Sequence, residues 1–62
     1  MNKFIESLTI EYGYVVAIAY GDGYWWVDAL TMEYEVANIQ EYDINLDIAV
    51  EKLWRRIHRR GG

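Results

Sequence analysis

Between residues 10 and 20, apolar and aromatic side chains fall on every second position. Ile10, Tyr12, Tyr14, Val16, Ile18 and Tyr20 point one way, and Glu11, Gly13, Val15, Ala17 and Ala19 the other. A period of two built from β-branched and aromatic residues predicts a strand. Asp22-Gly23 follows, a favoured hairpin turn because both residues tolerate positive φ. A second strand is expected from residue 24 to about residue 32. A shorter third strand is expected over residues 34–40, where Tyr34, Val36 and Asn38 alternate with Glu35, Ala37 and Ile39. Helix is also open there, because Glu, Val and Ala do not decide between the two.

The period changes after residue 45. Leu46, Ala49, Val50, Leu53 and Ile57 recur at the i, i+3, i+4, i+7 spacing of one apolar helix face. This predicts a helix over residues 46–60, with Trp54 flanking the apolar face. Asn45 is a good N-cap, Ile44 sits at the staple position before it, and Asp47 suits the positive end of the dipole. Gly61 can end the helix. Residues 2–9 admit two readings: a short helix capped by Asn2, with Phe4, Ile5 and Leu8 on one face, or a strand entry. The pattern therefore predicts a single α+β domain over residues 1–62. Its sheet has two or three antiparallel strands, one C-terminal helix packs on one face, and a short N-terminal helix is possible.

The hairpin register decides which residues share a face, since a slip of one residue exchanges the faces. A three-residue loop, Gly21-Asp22-Gly23, sets Val15, Ala17 and Ala19 beside Trp25, Val27 and Ala29. That makes a small-residue face suited to close helix packing. Tyr12, Tyr14, Val16, Ile18, Tyr20, Tyr24, Trp26, Asp28, Leu30 and Met32 then share the other. A two-residue loop, Asp22-Gly23, moves Trp26, Asp28 and Leu30 to the small face and sets Asp28 under the helix, where an unpaired carboxylate is costly. The three-residue loop is the expected one.

Either way the hairpin is apolar on both faces, and one helix covers only one of them. A chain of 62 residues buries only about 60% of the surface its unfolded form exposes. Small domains commonly add disulfides, a metal or oligomerisation. There is no cysteine, which leaves oligomerisation. Tyr12, Tyr14, Tyr20, Tyr24, Trp26 and Leu30 are the candidate contact residues, because Tyr and Trp bury large areas with few rotatable bonds. Self-association into a homodimer or higher oligomer, through the open face or the sheet edge, is the first expected use of this surface. A separate protein target is another, and cover by residues 2–9 is a third.

Hydrophobic residues make up 53% of the chain, with no proline, which excludes a disordered chain. No apolar run approaches the roughly 18 residues of a membrane helix, and residues 1–6 carry no signal-peptide pattern. The expected setting is the cytoplasm, with no membrane partner. The net charge of −4 hides an asymmetry. Residues 1–51 hold one lysine against ten acids, and residues 52–62 hold Lys52, Arg55, Arg56, Arg59 and Arg60. The four arginines form two i, i+4 pairs and are candidates for phosphate contact, in nucleic acid or a nucleotide, or for an acidic partner. A favourable C-terminal dipole with solubility is the ordinary reading of such a cluster, although four arginines in six residues exceed what capping needs. The ten acids could imitate a nucleic-acid backbone, or simply maintain solubility.

Catalytic signals are weak. The single serine, Ser7, and the single histidine, His58, lie near opposite ends without a supporting motif. Asp43, Asp47 and Glu51 recur every four residues, but Asp43 precedes the N-cap and Glu51 can pair with Arg55. A solvated face explains them better than a metal site. Gly21-Asp22-Gly23 joins two antiparallel strands and lacks the phosphate-cradling strand-to-helix geometry. No enzyme, metal or cofactor is expected.

The stretch from Val15 to Val27, with Asp22-Gly23-Tyr24 at its turn, resembles the first hairpin of the HicB-type antitoxin domain. Asp47-Ile48-Ala49-Val50-Glu51-Lys52-Leu53 resembles that family's helix start. Ala49-Val50-Glu51-Lys52-Leu53-Trp54 is similar to the Ala-Val-x-x-Leu-Trp run of small phage and prophage sandwich-type proteins. The phage resemblance implies a small inhibitor that occupies the functional surface of a host defence protein. The antitoxin resemblance implies a module that masks a small ribonuclease. Both imply non-enzymatic protein binding.

Overall fold

The computed structural model describes residues 2–31 and 37–61. It is an α+β fold. A short helix α1, Lys3–Glu6, runs into a π-helical turn, Ser7–Glu11. Strands β1, Val15–Gly21, β2, Tyr24–Leu30, and β3, Ala37–Asp43, form an antiparallel sheet in the order β1-β2-β3. Helix α2, Leu46–Gly61, closes the chain.

Of the two readings of residues 2–9, the helix holds. Asn2 caps it, its Oδ1 accepting hydrogen bonds from the amides of Phe4 at 2.7 Å and Ile5 at 3.2 Å. The helical path then widens. The Tyr12 amide bonds the Ser7 carbonyl at 3.2 Å, five residues back. The Thr9 hydroxyl donates toward the carbonyls of Ile5 and Glu6, each at 3.0 Å. Gly13 ends the segment at φ +75°, a value that favours glycine. Strand β1 therefore begins at Val15 rather than at residue 10. Alternation alone could not separate residues 10–14 from the strand.

The hairpin loop has two residues, not three. Gly21 pairs with Tyr24, Tyr20 with Trp25, and so on to Val15 with Leu30. Asp22 at φ +53° and Gly23 at φ +82° supply the two left-handed positions of a type I′ turn, whose twist matches that of the strands. Val15, Ala17 and Ala19 accordingly share a face with Tyr24, Trp26, Asp28 and Leu30. Val16, Ile18 and Tyr20 share the other with Trp25, Val27 and Ala29. The helix packs on that second face. The expected helix seat over Val15, Ala17 and Ala19 is not used. With the helix opposite, Asp28 stays in reach of water and accepts a hydrogen bond from Gln40 Nε2 at 2.6 Å.

The core lies between the sheet and the helices. Val27, Ala29 and Ile39 meet Ala49, Val50, Leu53 and Ile57 of α2, and Leu8 enters from the N-terminal segment. All eight are buried. The α2 positions include four of the five read as its apolar face. Helix α2 lies over β3 and β2, while Phe4, Ile5, Tyr12, Tyr14 and Val16 close the side nearer β1.

Strand β3 pairs with β2 from Trp25–Asp43 to Leu30–Ala37, with a bulge between Ala29 and Leu30. It extends three residues past the expected end. Residues 32–36, including Met32 and the expected start of the third strand, lie outside the described residues. An Asp43 carboxylate oxygen accepts from the Asn45 amide at 2.9 Å, an Asx turn that sets the entry into α2. Asn45 Oδ1 then accepts from the Asp47 amide at 3.0 Å, capping the helix. Ile44 is not a hydrophobic staple: this turn leaves it 71% exposed.

Candidate functional site

The open face of the sheet is built from alternate residues of all three strands. Val15, Ala17 and Ala19 come from β1, Tyr24, Trp26, Asp28 and Leu30 from β2, and Gln40 and Tyr42 from β3. Trp26 and Tyr42 stack with ring centroids 4.7 Å apart at 29°, and Tyr24 meets the Tyr42 ring edge-on at 5.5 Å. The Trp26 indole N–H turns toward the Gly21 carbonyl at 3.4 Å. Tyr42 is 50% exposed and Tyr24 40%. The three rings contact one another, with Trp26 half-buried and both tyrosines exposed. No α-helix of the described residues covers them, because α1 and α2 both lie on the other face.

The six residues expected to share one contact face are divided. Tyr24, Trp26 and Leu30 lie on the open face. Tyr12 and Tyr14 are half-buried and pack against the core. Tyr20 is on the helix side near the β1 edge, meeting Trp25 edge-on at 4.9 Å. The cause is the two-residue loop together with the helical path of residues 10–12. Tyr42 joins the open face unforeseen. Continuing the alternation of Asn38 and Gln40 by one further step would have found it.

Residues 2–9 do not cross this face. Leu8 is buried in the core, and Phe4 packs its ring on Trp54 of α2 at 5.2 Å. Trp54 joins both ends of the chain. Its indole N–H donates to Ser7 Oγ at 2.9 Å, and His58 stacks on it at 4.5 Å and 10°. His58 Nδ1 bonds the Tyr12 hydroxyl at 2.7 Å. Ser7 and His58, remote in sequence, are thus brought to one tryptophan. Yet Ser7 is engaged by an indole and His58 by a phenol, and among the described residues they share no hydrogen bond. The adjoining cleft of about 380 Å³ is shallow and lined by Lys3, Phe4, Ser7, Glu11 and Trp54.

The charged residues tie α2 to the sheet. Lys52 Nζ donates to Asp43 at 3.0 Å and to the Tyr42 carbonyl at 3.2 Å. Arg56 donates to Glu41 at 2.7 Å and to the Gln40 carbonyl at 3.2 Å. The Asn45 amide and the Lys52 ammonium together hold the Asp43 carboxyl below the usual aspartate range, against a smaller opposing effect of desolvation. Arg55 pairs with Glu51 at 2.7 Å, the i, i+4 contact read from the sequence. Arg55 and Arg56 therefore have carboxylate partners, Arg59 is exposed, and the Arg60 side chain lies outside the described residues. The arginines do not form one free row. No group of three or more His, Cys, Asp or Glu residues among the described residues is arranged to hold a metal ion. No helix of the described residues is long and apolar enough to cross a membrane.

Compared with protein-family models, with curated proteins and with solved structures, the chain matches none.

Proposed function

We propose that this chain is a non-enzymatic protein-binding module whose contact surface is the open face of the sheet. The observation that carries this reading is the Tyr24–Tyr42–Trp26 cluster. Three aromatic rings pack on one another on a face that α1 and α2 leave uncovered. Aromatic anchors ordered before contact lose little conformational freedom on binding, which is how they become interface hot spots. Asp28 and Gln40 beside them supply a polar pair to orient a partner.

The resemblance to small phage proteins makes a host protein the expected partner, inhibited because its working surface is covered. The HicB-like alternative uses the same face and changes only the partner, to a small ribonuclease. The nucleic-acid reading has less support, because Glu51 and Glu41 already neutralise two of its four arginines.

The test is retention of a partner from cells of the source by three tagged proteins. These are the unmodified chain, Trp26→Ala with Tyr42→Ala, and Arg59→Ala. A protein held by the first and third but lost from the folded double variant supports the reading. Equal retention by all three, or loss only with Arg59→Ala, overturns it.

A further inference from the structure

We propose that the outer edge of β1 is a self-association site, at which two copies of the chain join their sheets antiparallel about a two-fold axis at Ile18. The proposal does not depend on the open-face reading and rests on the two edges of the sheet being unlike.

The hairpin sets which backbone groups are free. Across a two-residue loop the flanking pair, Gly21 and Tyr24, exchanges both hydrogen bonds. Alternate residues repeat this, so Val15, Ala17, Ala19 and Gly21 turn their N–H and C=O groups to β2. Val16, Ile18 and Tyr20 turn theirs outward. The same alternation carried across β2 leaves the carbonyls of Gln40 and Tyr42 on the outer edge of β3. Those two carbonyls are the ones that Arg56 and Lys52 occupy. The β3 edge is thus bonded to charged side chains of α2, with Glu41 and Asp43 paired beside it.

The β1 edge has no such protection. Its sequence, Val15-Val16-Ala17-Ile18-Ala19-Tyr20-Gly21, holds no charge and no proline, and the bulge of the sheet lies between β2 and β3. Charge, proline and bulges are the usual devices that stop an edge from pairing. Ile18 is 45% exposed and Tyr20 62%, because α2 sits over β2 and β3.

A second copy fits this edge better than an arbitrary strand, because the edge is self-complementary. The outward groups at Val16, Ile18 and Tyr20 are symmetric about Ile18, the middle of the seven residues. A two-fold axis there sets Ile18 against Ile18, Val16 against Tyr20, and Ala17 against Ala19, and satisfies every outward donor and acceptor. The seam is uncharged, so two chains of net charge −4 meet where neither carries charge. The axis stands perpendicular to the sheet. Both helix layers therefore lie on one side, and both aromatic clusters share the other. Since the β3 edges are occupied, pairing stops at two copies. One strand pair buries less than the roughly 1,200–2,000 Å² of a standard interface, so the dimer dissociates on dilution.

Light scattering across a dilution series tests this. The expected mass is twice the 7.4 kDa chain at high concentration, falling to one chain on dilution. Ile18→Lys sets two ammonium groups opposite each other and should weaken the dimer roughly tenfold or more. Ile18→Glu should do the same alone, and mixing the two variants should restore pairing. Trp26→Ala with Tyr42→Ala should leave the dimer intact, which separates this site from the open face. Should the Ile18 variants fail to fold, amide exchange of the unmodified chain decides. The amides of Val16, Ile18 and Tyr20 should gain protection with concentration, while those of Ala17 and Ala19 stay protected throughout. A mass of one chain at every concentration, assembly beyond two copies, or edge amides that exchange alike at all concentrations would overturn the proposal.

Discussion

Lysine placed at two neighbouring positions of β1 should act in opposite directions. Val16 is half-buried and packs against the core. Burying a valine fully is worth about 1.5–3 kcal/mol, so roughly half of that is lost in Val16→Lys. The ammonium must also leave the apolar side by bending along its stem, which brings the total to about 1–3 kcal/mol. Ala17 is exposed on the open face directly opposite Asp28. Ala17→Lys creates a cross-strand ion pair worth about 0.2–1 kcal/mol. A domain of this length has a total stability of only about 3–9 kcal/mol, and each kcal/mol moves Tm by roughly 4–8 °C. Thermal unfolding followed by far-UV circular dichroism, at one low protein concentration, should show Val16→Lys melting about 5–20 °C below the unmodified chain and Ala17→Lys at or above it. A three-residue loop would exchange the two faces of β1. The reverse order of Tm values would therefore refute the register and the open face built on it.

Three further outcomes follow from the packing. Leu53→Ala, at a fully buried position, should destabilise by about 2–5 kcal/mol; a loss under 1 kcal/mol in chemical denaturation would contradict the core. Because folding holds Asp43 below its ordinary value, its contribution is fully present above the unfolded value of about 3.9 and is lost as pH falls through the lower folded value. The stability gap between the unmodified chain and Asp43→Ala, measured from neutral to strongly acidic pH, should therefore close below about pH 4, and a constant gap would contradict it. Tyr12→Phe removes the hydroxyl bonded to His58 and should cost about 0.5–1.5 kcal/mol, read by urea unfolding; a larger loss would mean that the contact is more than one exposed hydrogen bond.

Much of the frame was legible in the periodicity. The change from period two to period 3.6 located the hairpin and α2, and Asn45 marked the first turn of the helix to the residue. These are local signals, written within a few positions of one another. The face on which the helix packs is not local. Choosing the loop required knowing whether Val15, Ala17 and Ala19 or Val16, Ile18 and Tyr20 share the helix side with Val27 and Ala29, and small side chains alone do not distinguish a helix seat from an open face. Asp28 misled for that reason. A helix over its face would bury it as an unpaired carboxylate, whereas Gln40, twelve residues on, pairs with it in reach of water. Tyr12 and Tyr14 misled differently. They continue the alternation of β1 but belong to the widened helical turn and the corner after it, which depend on Leu8 entering the core. The Trp54 cluster, joining Ser7, Phe4 and His58, had no sequence signal, because it depends on both ends of the chain meeting.

The two sheet edges and the open face differ for one geometric reason. Lys52 and Arg56 hold α2 on β3 and occupy the carbonyls of that edge, so Arg56, a candidate for phosphate contact in the sequence, instead joins Lys52 in anchoring the layers. This leaves the uncharged β1 edge and the aromatic cluster as the two surfaces proposed for contact, the first with a second copy and the second with a different protein.

Photocrosslinking from defined positions shows whether the open sheet face touches another protein. A photoreactive amino acid would be placed at Tyr24 or at Tyr42, and, as a control, at Ile48 on the exposed side of α2. Illumination in cells of the source should yield the same covalent adduct with a second protein from positions 24 and 42 and none from position 48. An adduct from position 48 alone, or none from any position, would show that the open face makes no such contact.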